Sequence, residues 1–497
     1  MHDAIVIGAG VGGLSSAIAL GAAGLKVCVV EAASEPGGKM GREVVDGVEF
    51  DTGPSVLTLT DVFDDIFSTA GLRMADMVTL RQPEPSFRYL YADGAVVDIH
   101  HAPADTLDSV RRSLGADAAG ELERFMGYSK DIWDAAAPVF VYGDAPNMKT
   151  VLSAGPQLIG GLTKVDAMSQ MWAAIRKRVS DPHLRMLLAR YATYNGSDVR
   201  CAPATLNCIA HVELGLGGYG VEGGMFMLVR ALVTAAEKVG VEFHYGTPVS
   251  ALMLERKMFG ERITGVELED GRQLSSKRVV ANADVAHVVE ALLPAKLRHG
   301  IPVSETPSMS AYNGVLRMRR RHGDDARVAH TVLFPSDYEA EFADIFDRDR
   351  PPVEPTVYLC AQEANHGRMG WAEEEPVFVM ANAPAEPRAG RREAEVYRSL
   401  RDATLGRMRE AGLCDADDPL VWERTPQELA ARFRGSRGSI YGAASNNQTA
   451  AFQRPSNRVS KVKGLFLASG SAHPGGGVPL AALSGRAAAR AALELRA

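Results

Sequence analysis

Residues 3–39 read DAIVIGAGVGGLSSAIALGAAGLKVCVVEAASEPGGK, and this stretch decides the fold. The apolar run Ala4–Ile7 predicts a buried parallel strand. The turn Gly8-Ala9-Gly10-Val11-Gly12-Gly13 follows, and small apolar residues from Leu14 to Ala23 suit a helix packed tightly on a sheet. Lys26 to Val30 predicts a second strand, which ends on Glu31. This is the order that a dinucleotide site needs. Gly8 permits the tight turn, Gly10 leaves room for a pyrophosphate, and Gly13 lets the helix approach the strand. The helix N-terminus offers free N–H groups and partial positive charge to phosphates. Glu31 can accept hydrogen bonds from a ribose diol and would repel a 2′-phosphate, which argues against NADP. The further Gly37-Gly38-Lys39 adds a second close backbone approach and a cation, favouring FAD over NAD.

The acidic balance, with 61 acidic against 54 basic residues, gives no reason to expect a nucleic-acid partner. Cys28, Cys201, Cys208, Cys360 and Cys414 form no CxxC pair and read as free thiols in a reducing compartment. The adjacent His100 and His101 would point to opposite faces of a strand, so no metal site is expected. The first strand starts almost at Met1, so no signal peptide is expected. No apolar run is long enough to span a bilayer.

Further along, Gly53-Pro54 predicts a rigid turn beside a ligand, and Phe87–Ile99 predicts two strands around Asp93-Gly94. Residues 117–179 mix helical patterns with Pro138, Pro146 and Pro156, and interleave aromatic residues such as Phe125, Trp133 and Trp172 with Lys149, Lys164 and Arg176. Two readings stay open for that segment: a surface dipping into a bilayer interface, or a helical layer buried over a substrate site. Tyr191–Ala204 could border a substrate cavity or be a structured turn. Gly217–Met225 predicts a second nucleotide-binding segment leading into a helix, then a strand at Val241–Gly246 and a meander across Asp270-Gly271. Strands are predicted near Tyr312–Met318, Val328–Phe334, Thr356–Gln362 and Val377–Ala383, and a helix over Glu393–Glu410. Arg317, Arg319, Arg320 and Arg321 read as a solvated basic cluster. Gly464–Gly470 predicts a strand, Ser471–Val478 a glycine turn, and Pro479 opens a helix to Leu493. That helix N-terminus suits the flavin N1–C2=O edge, which gains negative charge on reduction. His473, inside a His-Pro turn, reads as structural.

The chain resembles the bacterial-type phytoene desaturase family of carotenoid desaturases along nearly its whole length. The residues that carry this are the N-terminal fingerprint with Glu31 and Gly37-Gly38-Lys39, FDTGPS at Phe50–Ser55, GSDVRCAPATL at Gly196–Leu206, VEGGM at Val221–Met225, NAD at Asn282–Asp284 and ASGSAHPGGGVPLAALSG at Ala468–Gly485. Within the family, His330–Phe346 and Pro355–Gln362 resemble the branch that desaturates 1-hydroxycarotenoids.

The resemblance implies an α/β fold: a Rossmann-like FAD-binding domain of the two-dinucleotide-binding flavoprotein type, an inserted α+β substrate domain and a helical membrane-associating region. The expected division is 1–115, 206–303 and 456–497 for the FAD-binding parts, 116–205 for the helical region and 304–455 for the α+β domain. It implies FAD contacts at Val11, Glu31, Lys39, Ser55, Val56, Val249, Asn282, Gly470, Ser471 and Val478, beside Gly8, Gly10, Gly13, Gly38 and Gly477 of the glycine turns. The implied reaction puts a C3–C4 double bond into an acyclic 1-hydroxy or 1-methoxy carotenoid by hydride transfer to flavin N5. Alternatives within the fold are phytoene desaturation and a redox-neutral isomerisation; a non-catalytic pigment carrier and an amine oxidase are further readings. A quinone or oxygen is the expected electron acceptor, and peripheral attachment to the cytoplasmic face of the inner membrane the expected location. No proton acceptor stands out; Asp198 and Arg200 are candidates from loop position alone.

Overall fold

A computed structural model describes residues 2–146, 165–258, 260–299 and 301–495. Lys149, Pro156 and Lys164 of the helical segment lie outside the described residues.

Five parallel strands form the sheet that the first stretch predicts, in the order Leu465–Leu467, Val279–Ala281, Ala4–Ile7, Val27–Val30, Glu242–His244. Both faces are covered in the middle of the sheet, so its inner strands read as unbroken apolar runs, while the edge strand Glu242–His244 keeps exposed polar ends. Ala4, Val6, Val27 and Val29 face the helices Val11–Ala22, Phe226–Lys238 and Val478–Leu493. Ile5, Ile7, Cys28 and Val30 face a β-meander, Val249–Lys257, Gly260–Leu268 and Gln273–Ser275. The first and last helices touch at backbone distance: a Cβ on Gly485 would stand 2.1 Å from the Gly12 carbonyl oxygen. Ser15 Oγ adds a bond of 2.8 Å to the Ala482 carbonyl. The two ends of the chain are thus one structural unit.

A second, seven-stranded sheet runs Leu420–Arg424, Ser310–Arg319, Glu374–Ala383, Val357–Ala361, His330–Leu333, Phe87–Leu90, Val96–Ile99. The hairpin 87–99, grouped by sequence with the N-terminal part, therefore pairs with the later α+β strands; Phe87–Leu90 lies parallel to His330–Leu333. One reason is packing: Phe87 and Tyr89 are fully buried against Phe334 and the helical layer.

In that layer Pro138 does not break the chain into loops. It sits in the last turn of one 25-residue helix, Ala116–Phe140. Phe125, Ile132 and Met171 are buried inward, while Met168 is exposed. The basic cluster is also less solvated than its sequence suggests. Arg320 forms a two-pronged pair with Glu363 at 2.6 and 2.8 Å, and Arg317 pairs with Glu374 and lies 4.8 Å over Trp371. Among the described residues, no helix is long and apolar enough to cross a membrane.

Candidate active site

The turn after Ala4–Ile7 is built for backbone approach. Gly8 has φ of +96°, and a Cβ on Gly13 would stand 2.0 Å from the Gly8 carbonyl oxygen. A Cβ on Gly10 would meet Asn282 Oδ1 at 2.6 Å, and one on Gly38 would meet Gly10 Cα at 3.3 Å. The amide of Gly37 donates to the Ala9 carbonyl at 2.9 Å, so the second glycine pair is locked against the first. Glu31 reaches back under this turn: its Oε2 accepts from the Ala9 amide at 2.6 Å and its Oε1 from Ala33 at 2.8 Å.

Two helix N-termini open here, at Val11 and at Val478, and neither has a side-chain cap. Uncapped N–H groups in a part-buried place call for an anionic or hydrogen-bond-accepting ligand. Gly477, which precedes the second helix, has φ of +112° and open space where a Cβ would be. Lys39 Nζ spans to the carbonyls of Ser439 and Ile440 at 2.8 and 2.9 Å, which fastens this region to the far end of the chain. Burial lowers the Lys39 pKa, with Asp284 opposing.

These groups share one cavity of about 940 Å³. Gly8, Gly10, Val11, Glu31, Gly38, Lys39, Ser55, Val56, Val249, Asn282, Gly470, Ser471, Gly477 and Val478 all line it. Gly13 does not; it lies behind the turn, where its missing side chain sets the spacing of helix and strand. The same cavity takes in a mainly apolar chamber walled by Trp133, Phe140, Ile209, Val212, Met309 and Phe378. Trp133, Ala136, Ala137 and Phe140 fall on one helix face at spacings of three and four. Near Phe140 stands Phe452, ring to ring at 6.0 Å and part-exposed, with Ala450 and Ala451 beside it on the cavity wall.

Some expected participants lie elsewhere. Asp198 and Arg200 do not line the cavity. Arg200 clamps Asp198 and Asp347, at 2.7 Å to each, so both carboxylates are committed to a structural pair. Gly217–Met225 does not line it either: the helix start at Met225 and Phe226 donates to the Asp51 carboxylate at 2.7 and 3.2 Å. That anion-binding terminus is filled by the protein itself. His473 Nε2 bonds the Gly143 carbonyl at 3.0 Å, and burial lowers its pKa, which suits a structural place.

Thr193, Tyr194, Asn195 and Pro203 of the stretch Tyr191–Ala204 line the cavity, while Arg190, Glu213 and Arg454 carried no sequence signal. Arg190 donates from Nη1 to the hydroxyls of Tyr89 and Tyr194 at 2.9 and 3.2 Å, and stands 4.0 Å from Glu213. Glu213 accepts from Tyr191 at 2.9 Å and from Tyr194. Arg454 also lines the cavity. These residues come from separate elements, and each alone looks like an ordinary polar residue on a helix or loop.

Residues 11–369 match the family described as flavin containing amine oxidoreductase. The chain is 34% identical to hydroxyneurosporene desaturase of Rubrivivax gelatinosus, over 98% of this chain and 92% of that one. It is 32% identical to 4,4'-diapolycopene oxygenase of Methylomonas sp, over 97% and 96%. Among solved structures, putrescine oxidase with bound putrescine superposes with a TM-score of 0.63 at 15% identity, covering 99% and 98%, a likeness of fold.

Proposed function

The chain belongs to the flavin-containing amine oxidoreductase family, and from that premise we propose that it is an FAD-dependent carotenoid desaturase acting on 1-hydroxylated acyclic chains such as 1-hydroxyneurosporene. It is a flavin-dependent oxidoreductase, and FAD is its cofactor. The observation that carries the substrate reading is the continuity of one cavity, from the paired glycine turns to an apolar chamber. A polar substrate would leave its hydrogen-bonding groups unpaired in such a chamber, whereas a polyene loses nothing by entering it.

Bound here, FAD would supply a two-electron hydride acceptor, the chemistry needed to turn the C3–C4 single bond into a double bond conjugated with the polyene while a proton leaves to solvent. This chain's residues do the rest. Glu31 would hold the ribose diol, and the amides at Val11 and Gly12 would serve the pyrophosphate. The uncapped terminus at Val478 would favour negative charge on a bound flavin ring. Ser55, Val56, Val249, Asn282, Gly470 and Ser471 complete the cofactor's walls. Trp133, Phe140 and Met309 orient the chain and exclude water. The exposed Phe452 on the cavity wall marks where the chain would be drawn from a bilayer, with the protein held at the cytoplasmic face of the membrane. A quinone or oxygen takes the electrons.

Anaerobic incubation of the holoprotein with 1-hydroxyneurosporene tests this. Expected is bleaching of the flavin together with a red-shifted carotenoid lighter by two hydrogens. An isomer of unchanged mass identifies a redox-neutral isomerase, and a product heavier by oxygen under air an oxygenase. Unchanged pigment and flavin would sink the proposal.

A further inference from the structure

Tyr338 lines the cavity, is 5% exposed, and its hydroxyl has no hydrogen-bond partner among the described residues. A buried hydroxyl left unpaired is costly, so the fold tolerates it where a ligand completes it. The ring is held firmly, edge-on between Phe334 at 5.1 Å and Phe342 at 5.0 Å. Asp337 caps the helix that carries it, accepting from Ala340 at 3.0 Å. Phe334 stacks in turn on Tyr89 at 5.8 Å, and Tyr89 receives the Arg190 hydrogen bond. Burial raises the Tyr338 phenol well above its ordinary range, Glu341 adding to this and Arg190 opposing it, so the hydroxyl keeps its proton.

Arg190 supplies a second set of donors. Its bonds to Tyr89 and Tyr194 both leave from Nη1, and Nε and Nη2 make none among the described residues. Its guanidinium lies over the rings of Tyr194, Phe87 and Tyr89 at 5.0, 5.2 and 5.5 Å, an arrangement that fixes its plane. Glu213 balances its charge nearby. The result is a fixed group of donors in the cavity wall.

Its position is informative. Tyr358 stands 6.0 Å from the Arg190 guanidinium and adjoins Ser55, one of the residues assigned above to the flavin. Arg190 therefore stands on the side of the cavity where Ser55 stands. In a 1-hydroxylated chain the carbon bearing the hydroxyl is two carbons from C3, so a group that reads this hydroxyl must stand near the flavin. We propose that Tyr338 and Arg190 form the receptor for the oxygen on the substrate's chain end, and so set the preference for hydroxylated over plain carotenoids. This rests on the desaturase reading above.

The test compares wild-type and Tyr338→Phe holoenzymes on 1-hydroxyneurosporene and on neurosporene. The ratio of kcat/KM for the hydroxylated over the plain substrate should fall about 10- to 100-fold, the range for one buried hydrogen bond. The flavin spectrum should match wild type and the melting temperature should be no lower, since the lost hydroxyl bonds nothing in the free protein. With the flavin reduced, so that no turnover occurs, the Kd for 1-hydroxyneurosporene should rise by a similar factor while that for neurosporene does not. A selectivity ratio within twofold of wild type, in enzyme that still turns over the hydroxylated chain, overturns the receptor. Failure of wild type to desaturate either carotenoid overturns the desaturase reading instead.

Discussion

The Glu31 carboxylate holds the Ala9 amide at 2.6 Å, so the acidic end of the second strand is tied beneath the glycine turn of the first. Its two oxygens each accept one backbone amide, from Ala9 and Ala33, and the side chain lines the cavity with acceptor capacity to spare. Glu31→Gln keeps the shape and removes the charge that strengthens both kinds of bond. We expect FAD affinity to drop about tenfold, from a loss of roughly 1–2 kcal/mol. Equilibrium dialysis of the apoprotein with FAD would show it; unchanged affinity would mean that this side chain only shapes the loop.

Gly485 is predicted to be the least replaceable position of the C-terminal helix. An added methyl would meet the Gly12 carbonyl oxygen at 2.1 Å and Ser15 Cβ at 2.9 Å, and the first of these is backbone that cannot swing aside. Gly485→Ala must push the first and last helices apart, at about 1–3 kcal/mol or more. Because both helix starts open on the same cavity, the same shift should loosen FAD. Denaturant midpoint and flavin retention after gel filtration should fall together; a fall in the first alone would separate the helix contact from the cofactor.

These glycines also show why the cofactor half was legible in the sequence. Gly8 needs a left-handed φ, Gly13 lies against a carbonyl, and Gly485 against another, so the residue type records the geometry directly. Long-range partners leave no such record. Phe87–Leu90 pairs with strand His330–Leu333 across more than two hundred residues, and nothing local announces it. Gly217–Met225 has the glycines of an anion site, but Asp51 fills the helix start that they open. Arg190 and Glu213 become a site only when a turn and a helix meet. Tyr338 stood inside a stretch singled out by resemblance, yet its unpaired hydroxyl is a property of the packed protein.

Acid should destabilise the protein through His366. It is fully buried, its Nδ1 accepts from the Val221 amide at 3.2 Å, and burial pushes its pKa down to about 3, with Arg368 adding to the shift. Arg81 acts in the same direction and Glu222 opposes. The nearby Asp51, 3.7 Å away, therefore faces a neutral ring. A histidine neutral in the fold takes its proton only in the unfolded chain between about pH 3 and 6.5. The stability is complete above pH 6.5 and shrinks as pH falls, by about 2 kcal/mol at pH 5. Urea midpoints at pH 7.5 and 5 should differ accordingly. The gap should narrow in His366→Asn, whose Oδ1 can replace the acceptor; an equal gap in both proteins would assign the effect to other groups.

Arg454 should tune the flavin at a cost in stability. It lines the cavity, is 8% exposed and has no carboxylate partner among the described residues. Nη2 donates to the Ala443 carbonyl and Ser445 Oγ at 3.2 Å each, while Nη1 has no partner. Burial alone pushes its pKa down to about 10, so at neutral pH it keeps its charge. A Cβ on Gly475 would stand 3.0 Å from its guanidinium carbon, which sets the charge against the turn that opens the last helix. An uncompensated buried cation penalises the empty fold, and negative charge on a reduced flavin would offset that penalty. Arg454→Gln should then melt no lower than wild type in the apo form, and its bound flavin should have a midpoint potential lower by roughly 30–60 mV, about 1.4–2.8 kcal/mol over two electrons. Arg454→Lys should restore part of the potential. Dye-coupled potentiometry reads the shift, and a potential that stays put in FAD-loaded Arg454→Gln would show that the flavin does not feel this charge.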